Sequence, residues 1–394
     1  MISTNFMFQH FAPTKIVFGA GKLNSLHEEA LPGKMALIVI SNGKSTRANG
    51  YLARLEAELD QAGVGHVVFD GVGANPTKTA VMAGSVAARE AGADCIVALG
   101  GGSVMDASKA IAAMAVNDGD LWEYILFGTG GKKPLANKPL PLVAVTTTAG
   151  TGSEVDNYGV ITNEETNEKT AYCDANAFPV LAVVDPELML SVPPKFTAYQ
   201  GFDALFHSTE AYISNLANLK SDMLARAAIE KVGVALARAV RDGSDLDART
   251  RMAFANTMSG LVMLDACTTS EHSLEHALSA YHGDLPHGAG LILISRAYYT
   301  FFINKHVCDD RFIEMARMLG KTEANAPMDF VEVLVKLQEE CGVADLKMSD
   351  YGITPDEFPK MVRNAKDCMG LLFPFDRYQL SDEECIQILT DSYR

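Results

Sequence analysis

The stretch CIVALGGGSVMDASKA, residues 95–110, places an apolar β-type run directly before three glycines and a segment of helical composition. The pattern predicts a strand over 95–99, a turn over 100–103 and a helix from about Val104. Bare backbone amides and a helix N-terminus then face one spot, which suits a phosphate group. The glycine spacing matches neither the G-x-G-x-x-G fingerprint nor a Walker P-loop, which disfavours an ordinary Rossmann enzyme or an ATPase.

On both sides of this stretch, short β-branched runs alternate with segments of helix length such as 77–92. The runs lie at 35–41, 66–72, 140–148, 159–163 and 181–186. This alternation predicts a parallel, doubly wound α/β unit. From about Phe196 onward the periodicity is helical, with no convincing strand run. We therefore expect an α/β plus all-α protein, with an α/β domain over 1–190 and a helical domain over 191–394.

The net charge and the cysteine content disfavour several classes of protein. The 394 residues include 33 basic and 49 acidic side chains, so the surface is expected to repel nucleic acids and anionic membranes. The N-terminus lacks the pattern of a signal peptide, and charge interrupts every apolar run before membrane-span length. Seven scattered cysteines without a C-x-x-C pair disfavour disulfides and a thiolate zinc site. We expect a cytoplasmic protein that acts on a small molecule.

A second motif, TTTAGTGSEV at 146–155, follows the run at 140–148. It places hydroxyls and backbone amides at the carboxyl edge of a parallel sheet, where α/β proteins bind ligands. Together with the GGGS turn, this motif predicts a dinucleotide-binding cleft.

Histidines cluster in HSLEHALSAYHGDLPH, residues 272–287. His272 and His276 are four residues apart, so they share one face of a helix, and Asp203 and His207 repeat that spacing. His287 follows a proline at the expected start of another helix. Nitrogen and oxygen donors without thiolate suit a divalent first-row metal such as Fe(II), Zn(II), Ni(II) or Mn(II).

These motifs, in this order, resemble those of the iron-dependent (group III) alcohol dehydrogenases over essentially the whole chain. The shared elements are KIVFGAG near the N-terminus, NPT at 75–77, GGGSxxDxxK at 100–109, TTTAGTGSE, VDPEL at 184–188, Asp203-x3-His207, His272-x3-His276 and PHG at 286–288. The resemblance implies a dehydroquinate synthase-like architecture, in which an N-terminal nucleotide-binding domain precedes an all-helical metal-binding domain, with the active site in the cleft between them.

The resemblance also assigns site residues. It implies the metal ligands Asp203, His207, His272 and His287, and it places His276 near the nicotinamide. The residues implied for the cofactor are Ser41, Asn75, Gly101, Gly102, Ser103, Asp106, Thr146, Thr147, Thr151 and Lys169. Many members have nine residues between the last two family histidines and this chain has ten, so His282 is an alternative to His287.

The implied activity is hydride transfer between NAD(P) and a primary, aliphatic alcohol or aldehyde, with Fe(II) as the expected metal. The proton leaves through His276, water or the cofactor ribose. Members that prefer NAD tend to carry Asp where this chain has Ser41, whereas Lys44 and Arg47 nearby suit a 2′-phosphate. We therefore expect NADP, with NAD as the alternative, and a homodimer or larger homo-oligomer.

Two alternative functions stay open at this point. A polyol or polyol-phosphate dehydrogenase of the same fold needs cationic residues for a substrate phosphate, and the segment 268–290 has no Lys or Arg. A non-catalytic metal-binding or assembly protein would hold the ion without hydride transfer, but none of the motifs is degraded.

Overall fold

The computed structural model describes residues 6–394, which fall into two compact units. One unit comprises residues 12–191, and the other comprises residues 192–394 together with 6–11. The N-terminal segment belongs to the second unit, where His10 Nδ1 lies 3.0 Å from Asp265 Oδ1. The domain limits expected from periodicity did not place 6–11 there, because such a long-range contact leaves no local signal in the sequence.

The first unit contains eight strands. They are β1 (Lys15–Phe18), β2 (Met35–Ser41), β3 (Gly65–Val72), β4 (Cys95–Gly100), β5 (Leu142–Thr146), β6 (Tyr158–Asn163), β7 (Glu168–Cys173) and β8 (Leu181–Val184). Six of them form a parallel sheet in the order β1-β8-β5-β4-β2-β3, which confirms the predicted sheet. The run at 159–163 was expected to join that sheet, but it pairs antiparallel with β7 in a separate two-stranded sheet.

Four helices connect the strands of the parallel sheet: α1 (Ser45–Ala48), α2 (Tyr51–Gln61), α3 (Lys78–Ala91) and α4 (Gly102–Met114). Successive side chains of a strand point to opposite faces, and both faces are covered here. Leu37 and Val39 pack into a core with α3 and α4, whereas Ile38 and Ile40 pack into a second core with α2. Burial on both faces explains why β2 is apolar almost throughout its length.

The strand order creates a switch point between β2 and β4. From β2 the chain moves outward to β3, then returns to place β4 on the other side of β2 and β5 beyond β4. In open parallel sheets, ligands bind at the carboxyl ends of the strands beside such a switch. Ser41, Gly100 and Thr146 end the three adjacent strands there, so the predicted cofactor segments share one edge.

The second unit is helical, as expected, and residues 192–394 contain no strand. Its helices are α5 (Pro194–Ile213), α6 (Leu219–Arg241), α7 (Leu246–Met263), α8 (Ser270–Tyr281), α9 (His287–Asn304), α10 (Asp309–Met318), α11 (Asp329–Glu340), α12 (Phe358–Met369) and α13 (Asp382–Ser392). Helix α5 packs against α6, α7 and α9, and every residue from 201 to 213 is buried. Polar side chains on this stretch of α5 therefore need polar partners within the unit.

Among residues 6–394, no helix combines the length and the apolar character needed to cross a membrane.

Candidate functional site

Four predicted metal ligands come together inside the helical unit. Asp203 and His207 lie one turn apart on α5, His272 lies in the first turn of α8, and His287 is the first residue of α9. The i, i+4 spacing puts the first two on one face of α5. Pro286 precedes α9 as its N-cap, so the chain enters that helix at His287 with a fixed backbone.

The three imidazole Nε2 atoms lie at similar distances around one carboxylate oxygen. Asp203 Oδ1 lies 3.6 Å from His207 Nε2, 3.6 Å from His272 Nε2 and 3.5 Å from His287 Nε2. Four donors placed about 2.1 Å from a common ion at tetrahedral angles are about 3.4 Å apart. Asp203 Oδ1 and His272 Nε2 are buried without a hydrogen-bond partner among the described residues. The residues therefore fit a divalent cation, which would satisfy both of these atoms.

The electrostatics of the cluster also favour a cation. Burial opposes ionisation of Asp203, but the facing imidazoles of His207 and His287 outweigh burial and hold the pKa of the carboxyl well below its usual range. Burial likewise opposes protonation of His272, yet the Glu210 and Asp203 carboxylates raise the pKa of that imidazole to about 10. Without a metal, this site attracts protons; a divalent cation supplies the same positive charge.

Two carboxylates that the sequence analysis did not select hold the imidazoles. Glu210 contacts Nδ1 of His272, and Glu275 contacts Nδ1 of His287. Both carboxylates belong to fully buried residues. A carboxylate on Nδ1 fixes the tautomer that presents Nε2 to a metal. A signal was present, because Glu210 continues the Asp203–His207 face of α5 by three residues.

His276 and His282 lie in different surroundings. The His276 ring is buried, with its centroid 5.3 Å from that of His287, so it borders the cluster of predicted ligands. His282 Nδ1 lies 3.0 Å from Tyr351 O, and its Nε2 lies 3.0 Å from Glu357 Oε2. His282, the alternative ligand to His287, therefore does not share the cluster.

In the α/β unit, the GGGS turn connects β4 to α4 as predicted, with the helix beginning at Gly102 rather than near Val104. Gly101 is the extended N-cap residue, so the amides of Gly102 and Ser103 open the first turn. Helix N-termini of this kind bind phosphate groups. A Cβ at Gly102 would lie only 2.3 Å from Thr151 Cγ2, so glycine is required by the close approach of the threonine loop.

The threonine loop adjoins this turn, and two further predicted residues contact each other elsewhere in the unit. The backbone amide of Thr147 donates to Gly100 O over 2.9 Å, and the Thr146 hydroxyl donates to Thr148 O over 3.1 Å. Lys169 Nζ donates to Asn75 Oδ1 over 3.1 Å, which joins two cofactor candidates 94 residues apart. Asn75 has a φ of 53°, a left-handed conformation that Asn tolerates better than most residues.

Asp106, also predicted to bind the cofactor, faces inward. Its Oδ1 accepts a hydrogen bond from Ser153 Oγ over 2.7 Å, and its Oδ2 accepts one from the Val160 amide over 2.9 Å. Burial raises the pKa of Asp106 to about 6, although Lys109 and these hydrogen bonds oppose the rise. The structure therefore directs this carboxylate into the unit and away from the predicted phosphate-binding amides.

The end of β2 carries the residues expected to choose the cofactor. No carboxylate occurs between Ser41 and Lys44. Arg47 Nη2 lies 3.0 Å from Asp70 Oδ2, and both side chains are at least half exposed. Exposed ion pairs of this kind are weak, so the guanidinium is able to exchange partners.

Comparison with known proteins agrees with both units. Residues 13–186 match the family model described as iron-containing alcohol dehydrogenase. Residues 197–393 match the model described as the Fe-containing alcohol dehydrogenase family, C-terminal.

Individual relatives align over nearly the whole chain. The 1,3-propanediol dehydrogenase of Citrobacter freundii is 35% identical, covering 91% of this chain and 92% of that protein. NADH-dependent butanol dehydrogenase A of Clostridium acetobutylicum is 30% identical, covering 98% and 99%. The crystal structure of an archaeal halo-thermophilic alcohol dehydrogenase from a Red Sea brine pool superposes with a TM-score of 0.93 at 33% identity, covering 98% of this chain and 99% of the other. The resemblance seen in the motifs is thereby confirmed, and the chain belongs to the iron-containing alcohol dehydrogenase family.

Proposed function

We propose that this oxidoreductase interconverts a primary aliphatic alcohol and its aldehyde, using NAD(P) and a divalent metal held by Asp203, His207, His272 and His287. Fe(II) is the proposed metal, with Zn(II), Ni(II) or Mn(II) as alternatives. The observation that carries the proposal is the convergence of three imidazole Nε2 atoms within 3.6 Å of Asp203 Oδ1 in a buried site. Relatives named 1,3-propanediol dehydrogenase and butanol dehydrogenase support a short aliphatic substrate.

The metal, the nicotinamide and the surrounding side chains have separate roles in the proposed reaction. A divalent ion in this site supplies Lewis-acid activation of a substrate oxygen, and a nicotinamide supplies or accepts the hydride. Glu210 and Glu275 keep His272 and His287 in the orientation that presents Nε2. The near-complete burial of Asp203 limits competition from water for the same donors.

Proton transfer is the task proposed for His276. Its ring lies beside the ligand His287 and is not one of the three imidazoles whose Nε2 atom faces Asp203. An imidazole has a pKa suited to accepting and donating protons near neutral pH. Water and the cofactor ribose are the alternative routes for this proton.

For the dinucleotide, we propose that the amides of Gly102 and Ser103 hold the pyrophosphate at the start of α4. Gly101, Thr146, Thr147 and Thr151 flank this turn. Gly102 and Thr151 lie so close together that the turn and the threonine loop could form one continuous binding surface, which supports this proposal.

Asn75, Lys169 and Ser41 are proposed to contact the rest of the cofactor. NADP is the proposed form because no carboxylate follows β2 and because Lys44 and Arg47 supply positive charge. NAD stays the alternative, since Arg47 already has a partner in Asp70.

We further propose a cytoplasmic location and a homodimer or larger assembly. All seven cysteines are free thiols, which is typical of proteins from reducing compartments.

The test is a spectrophotometric assay of anaerobically purified protein loaded with Fe(II). Oxidation of NADPH or NADH is followed with butanal, before and after removal of the metal by a chelator. The proposal predicts turnover that chelation abolishes and Fe(II) restores. Absence of turnover with short aldehydes, in protein shown to contain metal, would contradict the aliphatic substrate and favour a polyol or polyol phosphate.

A further inference from the structure

A buried polar network lies beneath the phosphate-binding turn in the α/β unit. It consists of Asp106 and Lys109 on α4 together with Ser153 and Asp156 from the segment after β5. We call it the Ser153 network.

In this network, every donor of the Lys109 ammonium group and of the Ser153 hydroxyl has an acceptor. Lys109 Nζ lies 2.7 Å from Ser153 Oγ, 2.5 Å from Asp156 Oδ1 and 2.5 Å from Tyr158 O, so its three donors meet three acceptors. Ser153 Oγ in turn donates to Asp106 over 2.7 Å. The hydroxyl therefore connects a buried cation to a buried carboxylate.

Such a network is a poor way to gain stability. The Lys109 side chain is completely buried and that of Asp156 is almost so. Removing both charges from water costs free energy that apolar side chains of similar volume would not cost. The network does, however, specify position, because a slip of either segment would leave a buried charge without its partner.

The Ser153 network joins the two segments that are proposed to bind phosphate. Asp106 lies one turn after Ser103 on α4, and Ser153 follows Thr151 by two residues. The amide of Ser153 also donates to Thr151 Oγ1 over 3.2 Å, which extends the network into the threonine loop. At Gly159 the backbone of β6 approaches so closely that a Cβ would lie 2.8 Å from Asp106 O.

We propose that Ser153 is a positioning residue that holds the threonine loop in register with the N-terminus of α4, so that both meet the pyrophosphate of the dinucleotide. This role rests on the proposed function. It acts on cofactor affinity and not on the metal site, whose ligands all belong to the other unit. Preorganised donors bind an anion without the cost of ordering them at the moment of binding.

The test compares three variants of the full-length, metal-loaded protein. Ser153→Ala removes the hydroxyl, Ser153→Thr keeps it, and Ser108→Ala is the matched control. Ser108 is buried on the same helix, and its hydroxyl has no hydrogen-bond partner among the described residues. The dissociation constants of NADH and NADPH are measured by fluorescence, with the KM for cofactor, kcat, metal content and thermal stability recorded alongside.

We expect Ser153→Ala to raise the dissociation constant and the KM for cofactor about tenfold, the scale of one lost hydrogen bond to a charged group. The metal content and the KM for aldehyde stay unchanged. Ser153→Thr restores most of the affinity, and Ser108→Ala behaves as the unmodified protein. An affinity within twofold of the unmodified protein, with lowered thermal stability only, would show that the network serves folding and would overturn the proposal.

Should Ser153→Ala fail to fold, Asp106→Asn gives the second measurement. The amide keeps one acceptor oxygen for the two donors that Asp106 now satisfies, so a smaller rise in the dissociation constant is expected, and no rise would contradict the positioning role. An unmodified protein that holds metal but binds neither cofactor would contradict the proposed function itself, and the positioning role with it.

Discussion

Glu210 contacts Nδ1 of His272, so a carboxylate on α5 orients an imidazole on α8 whose other nitrogen faces Asp203. We predict that Glu210→Gln lowers the affinity for Fe(II) about 10- to 100-fold, because the amide is a weaker acceptor for the ring N–H. Competition titration with a chromophoric chelator measures the affinity.

The matched control for that change is Glu357→Gln, which alters the carboxylate partner of His282 outside the cluster. This variant is expected to bind Fe(II) as the unmodified protein does. Equal metal affinity of Glu210→Gln and the unmodified protein would contradict the orienting role of Glu210.

His276→Ala tests the proton relay. We predict a fall in kcat of about 100-fold or more with aldehyde, together with a flattened pH profile, because a positioned general acid or base contributes about that much. The same substitution at His282, which lies outside the cluster, is the control. Unchanged turnover and an unchanged pH profile in His276→Ala would assign the proton route to water or to the cofactor ribose.

Variants of the Arg47–Asp70 pair test whether it determines the choice of cofactor. We predict that Asp70→Asn raises kcat/KM for NADPH about three- to tenfold and leaves the value for NADH nearly unchanged. The physical reason is that the freed guanidinium gains a charge-assisted bond to the 2′-phosphate. Steady-state kinetics with both cofactors gives the ratio.

Arg47→Ala is expected to move that ratio in the opposite direction. Asp247→Asn removes the partner of an exposed arginine in the helical unit and serves as the control. A ratio that stays within twofold in both Asp70→Asn and Arg47→Ala would exclude this pair as a determinant of specificity.

Asp376 gives a prediction about stability and pH. Burial raises the pKa of this carboxyl to about 7, although hydrogen bonds from Ser270 and Tyr298 oppose the rise, and the Glu210 charge adds to it. In the unfolded chain this carboxyl has an ordinary pKa of about 4. Between about pH 4 and 7 the folded state therefore binds more protons at this carboxyl than the unfolded state does. Over that window the free energy of unfolding falls as the pH rises, by at most about 1.4 kcal/mol per pH unit.

Asp376→Asn removes this titration. Relative to the unmodified protein, the variant should therefore gain stability between pH 5 and pH 8, measured by urea unfolding of the metal-saturated protein. Asp350→Asn, at an exposed position, should show no such change. A difference in unfolding free energy that is equal at both pH values would contradict the raised pKa.

Local patterns in the sequence predicted the parts of the structure that depend on local spacing. The strand, turn and helix around Gly102 follow from short-range periodicity, and the Asp203–His207 pair follows from the helical repeat. The residue pattern placed His287 at a helix start, and the departure from the family spacing left His282 as an alternative. Only the folded structure separates the two, because His287 Nε2 lies 3.5 Å from Asp203 Oδ1. The same helical repeat could have selected Glu210 and Glu275, because each lies three residues after a predicted ligand.

Features that depend on distant contacts were not predictable in this way. The strand β7 begins with charged residues and becomes a strand only by pairing with β6. The burial of Lys109 depends on Ser153 and Asp156, 44 and 47 residues further along the chain. A lysine three residues after an aspartate on a helix is more often exposed, so the sequence carried no sign of the network.

We expect hydride transfer to depend on a divalent cation held by Asp203, His207, His272 and His287. The most direct measurement is the butanal-dependent rate of NAD(P)H oxidation, titrated anaerobically with Fe(II), for the unmodified protein and for Asp203→Ala. We predict activity that saturates at one Fe(II) per chain in the unmodified protein, and a rate at least 100-fold lower in the variant at the same Fe(II) concentration. Full activity of the metal-free protein, or of Asp203→Ala, would show that hydride transfer does not require a metal at this site.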